Sequence, residues 1–407
     1  MESKKFGLIG RTLKHSYSKI IHEKLGEYPY ELYELEPNEL KDFVCGDMQG
    51  FNVTIPYKKD VMQYLDSIDE HAKSIGAVNT VVKKDGKILG YNTDFKGMLY
   101  MLNRAGISLK DRSVLILGSG GTSNTSLAVA SFSGAKRVTV VSRSGEINYQ
   151  NCYDLKDTEV IINTTPVGMY PNTDDAPVDI SRFENLIGVV DAIYNPELTR
   201  LLMDAKEKGL KYTSGLPMLV AQAKYASELF LGTEIADSEI ERIINLIRKD
   251  TENVVLIGMP GSGKSTIGEI LSKELGREFI DTDLEIVKRE NRTIAEIFAR
   301  DGEKYFRQIE SQVLKDVGKL SGKIIATGGG VVKDKKNYFS IKCNGKIFYI
   351  DRPVKDLSTI DRPLSQDQQT LINMYEERKG LYEYFADHSV KNDGDILDAV
   401  KGVLDNL

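Results

Sequence analysis

With 407 residues the chain exceeds what one hydrophobic core fills, and at about 150 residues per domain it divides into two or three. Hydrophobic residues at 41% and charged residues at 28% are ordinary for a globular protein and exclude wholesale disorder. A formal charge of −6 argues against a nucleic-acid partner: the densest basic runs, "KKDGK" and "KDKK", are short and interrupted by Asp. No segment approaches the roughly 18 apolar residues of a membrane span. Cys45, Cys152 and Cys343 are far apart, with no C-x-x-C or His partner, so neither a metal site nor a disulfide is expected and a reducing cytoplasm fits.

In chain order, short β-rich runs at Lys5–Leu8, Tyr30–Leu35, Gly50–Thr54 and Val78–Val82 alternate with helix-like "SKIIHEKLG" and "KKDVMQYLDSI", which predicts an α/β unit. "DFKGMLYMLNRAG" reads as a helix capped by Thr93 or Asp94 and ended by Gly106. The strand "SVLIL" then opens a new unit, in which "RVTVVSR", "TEVIINTT" and "LIGVVDAIY" have the spacing of a doubly wound parallel sheet. Helical "MLVAQAKYASELFLG" and "ADSEIERIINLIRKD" follow. A fresh strand, "NVVLI", starts at Asn253 and places a boundary near Asp250. The expected organisation is α/β throughout. An N-terminal unit (1–94, completed by helices around 215–249) precedes a Rossmann-type unit (95–214) and a P-loop unit (250–407).

Two unlike glycine loops follow apolar strands. "GMPGSGKST", Gly258 to Thr266, fits G-x-x-x-x-G-K-[ST]. In that pattern the backbone of Gly261, Ser262 and Gly263 cradles phosphate at a helix start that includes Thr266; Lys264 reaches the β/γ-phosphates and Ser265 ligates Mg²⁺. "GSGGTS", comprising Gly118, Ser119, Gly120, Gly121, Thr122 and Ser123, reads instead as a dinucleotide turn.

The P-loop does not name the phosphate acceptor. In "FIDTDLEI" Asp281 and Asp283 are two apart at the end of an apolar strand and are expected to point the same way, one toward Mg²⁺ and one toward an acceptor hydroxyl. "EKYFRQIE" puts Arg307 on a helix, "KIIATGGG" ends a strand in Gly328, Gly329 and Gly330, and "DRPLS" and "YEERKGLYEYFAD" bring Arg362 and Arg378. In this order the motifs from Glu252 to about Leu407 resemble the shikimate kinases. The resemblance implies ATP and Mg²⁺ as cofactors and Asp283 as the ligand and base of the acceptor hydroxyls. It gives carboxylate binding to Arg307 and Arg378, and closure over the transferring phosphoryl to Arg362. The lid segment "RPVKDLSTI" is shorter than usual in that family.

In the first half, "NVTIPYK" supplies Thr54 and Lys58, and "GAVNT" and "YNTD" supply Asn79 and Asp94. A lysine beside an aspartate can pass a proton to a carbonyl oxygen, which suits hydride transfer; alone, Lys58 also fits a solvated helix-start lysine and Asp94 an N-cap. With "HSYS" (Ser16, Ser18), "NTTPVGM", "DAIYNPELT" (Tyr194) and "GLPMLVAQA" (Gly215, Gln222), the stretch from about Lys5 to Gly232 resembles shikimate dehydrogenase. That resemblance implies Lys58 and Asp94 as the catalytic pair. It puts Ser16, Ser18, Thr54, Asn79, Asp94, Tyr194 and Gln222 at the substrate, and Gly118 to Thr122 with Gly215 at the cofactor. Ser142 and Arg143 in "SRSGE" lie where a 2′-phosphate would sit, with no acidic residue in that place, so NADP is expected.

The two halves would act in sequence on one small acid: reduction of 3-dehydroshikimate, then phosphorylation of the hydroxyl so formed. Two other readings stay open. The first half could be a non-catalytic shikimate-sensing module, which retention of both Lys58 and Asp94 disfavours. It could also be an NAD-linked quinate dehydrogenase, which Arg143 disfavours.

Overall fold

The computed structural model describes residues 5–13, 17–357 and 368–407. The chain forms two compact units, Met1–Leu246 and Ile247–Leu407.

The first unit holds two sheets. Strands β1 (Phe6–Gly10), β2 (Tyr30–Glu34), β3 (Gly50–Val53), β4 (Ser67–Ile68), β5 (Thr80–Lys84) and β6 (Lys87–Tyr91) make a mixed sheet of order β2-β1-β3-β5-β6-β4, with β5 antiparallel to both neighbours. Helices α1 (Ser18–Leu25), α2 (Leu40–Cys45) and α3 (Glu70–Ile75) connect them. The expected helix over "KKDVMQYLDSI" is instead a single 3₁₀ stretch, Asp60–Tyr64, followed by β4. Its hydrophobic positions serve a short connection whose backbone pairs at once with β6, Asp66 N donating to Ile88 O at 2.9 Å.

Helix α4 (Thr93–Arg104) leads into the second sheet of this unit: β7 (Ser113–Leu117), β8 (Arg137–Val141), β9 (Val160–Asn163), β10 (Gly188–Asp191) and β11 (Lys211–Thr213), all parallel in the order β11-β10-β9-β7-β8. The order reverses beside β7, so the loop after β7 opens at the switch point where such sheets bind ligands. Alternate residues of β7 and β9 go to opposite faces. Val114, Ile116 and Ile162 meet α4 and α5 (Gly121–Phe132), whereas Leu115, Leu117 and Ile161 meet Leu201 and Leu202 of α6 (Arg200–Glu207). Helix α7 (Leu216–Leu231) packs along α4: a Cβ on Gly97 would stand 2.9 Å from Met218 O and 3.0 Å from Gln222 Cβ. Only glycine permits that approach. The division between the units falls inside α8 (Ser238–Thr251).

The second unit is a five-stranded parallel sheet of β12 (Asn253–Ile257), β13 (Phe279–Asp281), β14 (Ile324–Ala326), β15 (Gly345–Asp351) and β16 (His388–Lys391), in the order β13-β14-β12-β15-β16. The helices among its described residues are α9 (Lys264–Leu275), α10 (Thr282–Glu290), α11 (Ile294–Gly318), α12 (Lys336–Lys342), α13 (Gln368–Phe385) and α14 (Ile396–Leu404). β12 is central and carries the P-loop at its C-terminal end. Two apolar layers cover the sheet, one built on Val255, Ile257, Ile325 and Ile347 and the other on Val254, Leu256, Phe348 and Ile350.

Candidate active sites

In the first unit, Lys58 follows β3 and Asp94 stands in the first turn of α4. Lys58 Nζ donates to Asp94 Oδ2 at 2.6 Å, and the two side chains are 27% and 17% exposed. Neither Thr93 nor Asp94 caps α4. The N-cap is Asn92, and the helix's first N–H, that of Thr93, donates to Asn79 Oδ1 at 2.7 Å. Asn79 therefore has two tasks that its sequence position did not show: Oδ1 also accepts from Thr80 Oγ1 at 3.0 Å and anchors the helix start. The side chain's other polar atom is Nδ2. Beneath it, Asn52 donates to Asn79 O at 3.2 Å and to Thr80 Oγ1 at 3.0 Å, and accepts from Tyr30 at 2.7 Å. A buried polar layer thus fixes the floor under Asp94.

Thr54 follows directly on β3 and is half-buried; its N–H donates to Ile9 O at 2.9 Å. Ser18 begins α1, and its neighbour Tyr17 meets Tyr194 edge to face with ring centroids 5.8 Å apart. The structure so brings the start of α1 to the loop after β10. Gln222 lies on α7 against Gly97, three residues beyond Asp94. Ser16 lies outside the described residues.

At the dinucleotide turn, Gly118 has φ +103°, and a Cβ there would meet Thr164 Oγ1 at 2.8 Å. Among the described residues nothing stands within 4 Å of the Cβ positions of Gly120 and Gly121, where α5 begins with no side-chain cap. An open glycine backbone at an uncapped helix start fits a pyrophosphate. Ser123 is buried at the place of a third glycine, small enough to pack against the sheet. Ser142 and exposed Arg143 follow β8, beside this turn, since Gly118 N donates to Val141 O at 2.8 Å. Gly215 sits at the start of α7 under Ala192 O, where any side chain would collide.

In the second unit, the P-loop runs from β12 to α9 with Gly258, Gly261 and Gly263 all at positive φ, of +149°, +83° and +94°. Lys264 is buried and folds back over the loop, donating to Gly258 O at 3.0 Å and Met259 O at 2.9 Å. Ser262 O accepts from Asn392 at 2.7 Å. Ser265 Oγ donates to Asp281 Oδ2 at 2.7 Å, so the hydroxyl and carboxylate that suit Mg²⁺ already stand together.

Asp281 and Asp283 do not share a strand. β13 ends at Asp281, whose Oδ1 caps α10 by accepting from Asp283 N at 2.9 Å, and Asp283 points inward from that helix's first turn. Burial, reinforced by Asp281 and Glu310, pushes the Asp283 carboxyl up to about 6. Its Oδ1 and Oε1 of Glu310 have no partner among the described residues, and each lies within 2.8 Å of the position a Cβ on Gly328 would take. Two buried acceptors facing one small space mark a place for ligand hydroxyls. Sequence reasoning assigns no role to Glu310, the last residue of "FRQIE". Here its Oε2 accepts from Arg307 Nη1 at 2.8 Å, and burial raises its own pKa.

Arg307 also donates to Glu303 Oε1 at 3.2 Å through Nη2, and its guanidinium lies where a side chain on Gly330 would go. Arg378 is 4% exposed and donates to Gly329 O at 3.1 Å; its Nε lacks a partner among the described residues. Tyr382 donates to the same carbonyl. Gly329 packs on Pro260 of the P-loop, its Cβ position 2.6 Å from Pro260 Cδ. One surface of this unit therefore collects Lys264, Asp283, Glu310, Arg307, Gly329, Gly330 and Arg378. Arg362 lies outside the described residues.

The first unit thus has the build of a dinucleotide-linked oxidoreductase and the second that of a P-loop kinase for a small acid. Residues 8–81 match the family model described as shikimate dehydrogenase substrate binding domain, and residues 260–407 that of shikimate kinase. Shikimate dehydrogenase (NADP(+)) of Clostridium perfringens strain 13 is 40% identical over 262 residues, covering 59% of this chain and 97% of that protein. The Methanococcus maripaludis enzyme of the same name is 38% identical over 275 residues, 60% and 97% of the two chains. Among solved structures, a chorismate mutase/shikimate 5-dehydrogenase fusion protein from Clostridium acetobutylicum superposes with a TM-score of 0.58 at 36% identity, covering 61% of this chain and 98% of that one. Shikimate 5-dehydrogenase from Thermus thermophilus, in complex with NADP(H) and shikimate, gives 0.54 at 30%, covering 60% and 99%. The chain belongs to the shikimate dehydrogenase family, and its C-terminal part adds a shikimate kinase domain.

Proposed function

We propose that this chain is a bifunctional enzyme: it reduces 3-dehydroshikimate to shikimate with NADPH and phosphorylates the 3-hydroxyl of shikimate with ATP and Mg²⁺. The observation that carries the reading is the Lys58–Asp94 pair, 2.6 Å apart and only partly exposed, in a chain whose P-loop also sets Ser265 against Asp281. A sensing module needs groups that bind shikimate but not a proton-transfer pair.

NADPH, when bound, supplies hydride to the carbonyl carbon. Lys58 delivers the proton to the carbonyl oxygen, and Asp94 holds the ammonium in place. Ser16, Ser18, Thr54, Asn79, Tyr194 and Gln222 bind the ring and its carboxylate. The open turn Gly118–Thr122 holds pyrophosphate, and Ser142, Arg143 and Gly215 hold the rest of the cofactor.

In the kinase, Ser265 and Asp281 ligate Mg²⁺ and the P-loop amides bind phosphate. Lys264 leaves its carbonyl partners for the charge on the transferring group. Asp283 takes the proton of the attacking hydroxyl, and Arg307 and Arg378 hold the carboxylate, as forked donors suit. ATP supplies the phosphoryl group.

In our reading the dehydrogenase comprises residues 1–94 with helices around 215–249 and a cofactor domain over 95–214, and the kinase starts near residue 250. Three free thiols support a reducing cytoplasm. Among the described residues no helix is long and apolar enough to cross a membrane. The test is NADPH oxidation with 3-dehydroshikimate, and ADP formation with shikimate, by the purified chain. A chain that made ADP and left NADPH untouched would be a kinase with a sensing module.

A further inference from the structure

Asp191 ends β10 and is fully buried, yet among the described residues the groups that hydrogen-bond its carboxylate are all neutral donors. Oδ2 accepts from Thr199 Oγ1 at 2.7 Å; Oδ1 accepts from Asn163 Nδ2 at 3.0 Å and Ile193 N at 3.1 Å. Burying a carboxylate without a cation is costly, and here burial pushes its pKa up to about 6. An acceptor-only group suits the site, because three donors converge on it; an amide would have to turn its own donor toward the Thr199 hydroxyl, which already accepts from Leu202 N, or toward the donors on the other oxygen.

The arrangement closes a loop at both ends. Residues 192–199 leave β10 and return as α6: Ile193 N fixes the start, while Thr199 fixes the end and also caps α6 by accepting from Leu202 N at 3.3 Å. Tyr194 lies between them. Asn163, which ends the neighbouring strand β9, joins this loop to the next, because its Oδ1 accepts from Thr165 N at 3.0 Å and Thr165 Oγ1 at 2.7 Å. Tyr170 N then donates back to Asn195 O at 3.0 Å, and Gly215 N donates to Ile193 O at 2.8 Å.

We infer that Asp191 is a positioning residue for the dehydrogenase: it holds the 192–199 loop so that Tyr194 faces the ring-binding site. The inference rests on the assignment of Tyr194 to the substrate. The glycine turn is held separately, Thr164 Oγ1 donating to Leu117 O at 2.6 Å, so the pyrophosphate site is spared; the loop meets the cofactor side through backbone, Gly215 N on Ile193 O, a bond that none of the side-chain changes below removes.

The test compares Asp191→Asn, Thr199→Val, Thr199→Ser, Tyr194→Phe and the double variant Asp191→Asn/Tyr194→Phe in steady-state reduction of 3-dehydroshikimate by the full chain. Asp191→Asn and Thr199→Val should raise the substrate KM about tenfold or more, the scale of a lost hydrogen bond to a charged group, with KM for NADPH within about twofold of wild type. Thr199→Ser, which keeps the hydroxyl, should behave as wild type. Once Tyr194 is Phe, adding Asp191→Asn should raise KM little further. Additive effects in the double variant, or a loss confined to kcat, would overturn the inference. Should Asp191→Asn fail to fold, equal kinetics for the Val and Ser variants at 199 would overturn it alone. A normal KM in Tyr194→Phe would remove both the substrate role of Tyr194 and the inference. A raised KM there, with Thr199→Val normal, would remove only the inference.

Discussion

Lys58 Nζ and Asp94 Oδ2 are 2.6 Å apart although 36 residues separate them, because β3 and α4 bring their ends to one side of the mixed sheet. Asp94 is not consumed by the start of α4, because Asn79 Oδ1 takes the helix's first N–H and the N-cap position is Asn92's. Lys58→Ala should therefore lower dehydrogenase turnover by about 10² or more, the usual scale of a lost proton donor, and leave kinase turnover unchanged. Near-normal reduction by that variant, measured as NADPH oxidation, would end the assignment.

Arg143 is exposed beside the turn that begins at Gly118. A guanidinium that meets a dianionic 2′-phosphate loses charge-assisted hydrogen bonds when truncated, so Arg143→Ala should raise KM for NADPH far more than for NADH. Equal weakening of both cofactors would mean that the side chain serves the adenine or the fold.

In the kinase unit, Glu310 neutralises Arg307 on one oxygen and faces the acceptor space with the other. Glu310→Gln should loosen the guanidinium and raise the shikimate KM of the kinase about tenfold, whereas Asp283→Asn should act mainly on kcat, by about 10². Dehydrogenase kinetics should not move in either variant. A kinase rate unchanged in Asp283→Asn would mean that it is neither base nor ligand of the acceptor.

His22 ties α1 to α7: its Nδ1 lies 2.7 Å from Tyr28 Oη and 3.1 Å from Ser227 Oγ, and its ring stacks on Tyr30 at 3.9 Å. Burial lowers its pKa from 6.5 to about 3. The unfolded chain then takes up a proton near pH 6.5 that the folded chain refuses until about pH 3. The neutral ring thus contributes stability above pH 6.5 that is lost as pH falls toward 3. Between pH 7 and 5 the loss should be about 2 kcal/mol, and His22→Gln should lack that part of the slope. Urea midpoints for loss of dehydrogenase activity, wild type against variant at both pH values, give the difference; parallel slopes would refute it.

The parts legible in the sequence were those where backbone geometry dictates residue type. Gly118, Gly258, Gly261 and Gly263 stand at positive φ, and the strands before them are unbroken apolar runs because both sheet faces are covered. What stayed hidden depends on contacts distant in sequence. Asn79 anchors a helix that starts 14 residues later, Asp191 gathers donors from β9 and the N-cap of α6, and Glu310 comes beside Asp283 at Gly328. The period-two rule misplaced Asp283, because the chain turns into α10 at Asp281 before the alternation can continue. The segment ending in "YLDSI" failed for a related reason: helical periodicity over so short a stretch yields to pairing with β6.

The most direct test of the central claim is a coupled assay with the intact chain, supplied with 3-dehydroshikimate, NADPH and ATP·Mg²⁺ and repeated with each omitted in turn. Shikimate 3-phosphate should form only when all are present, shikimate alone without ATP, and no product without NADPH. Formation of the phosphate from added shikimate, with no NADPH oxidised in any mixture, would contradict it.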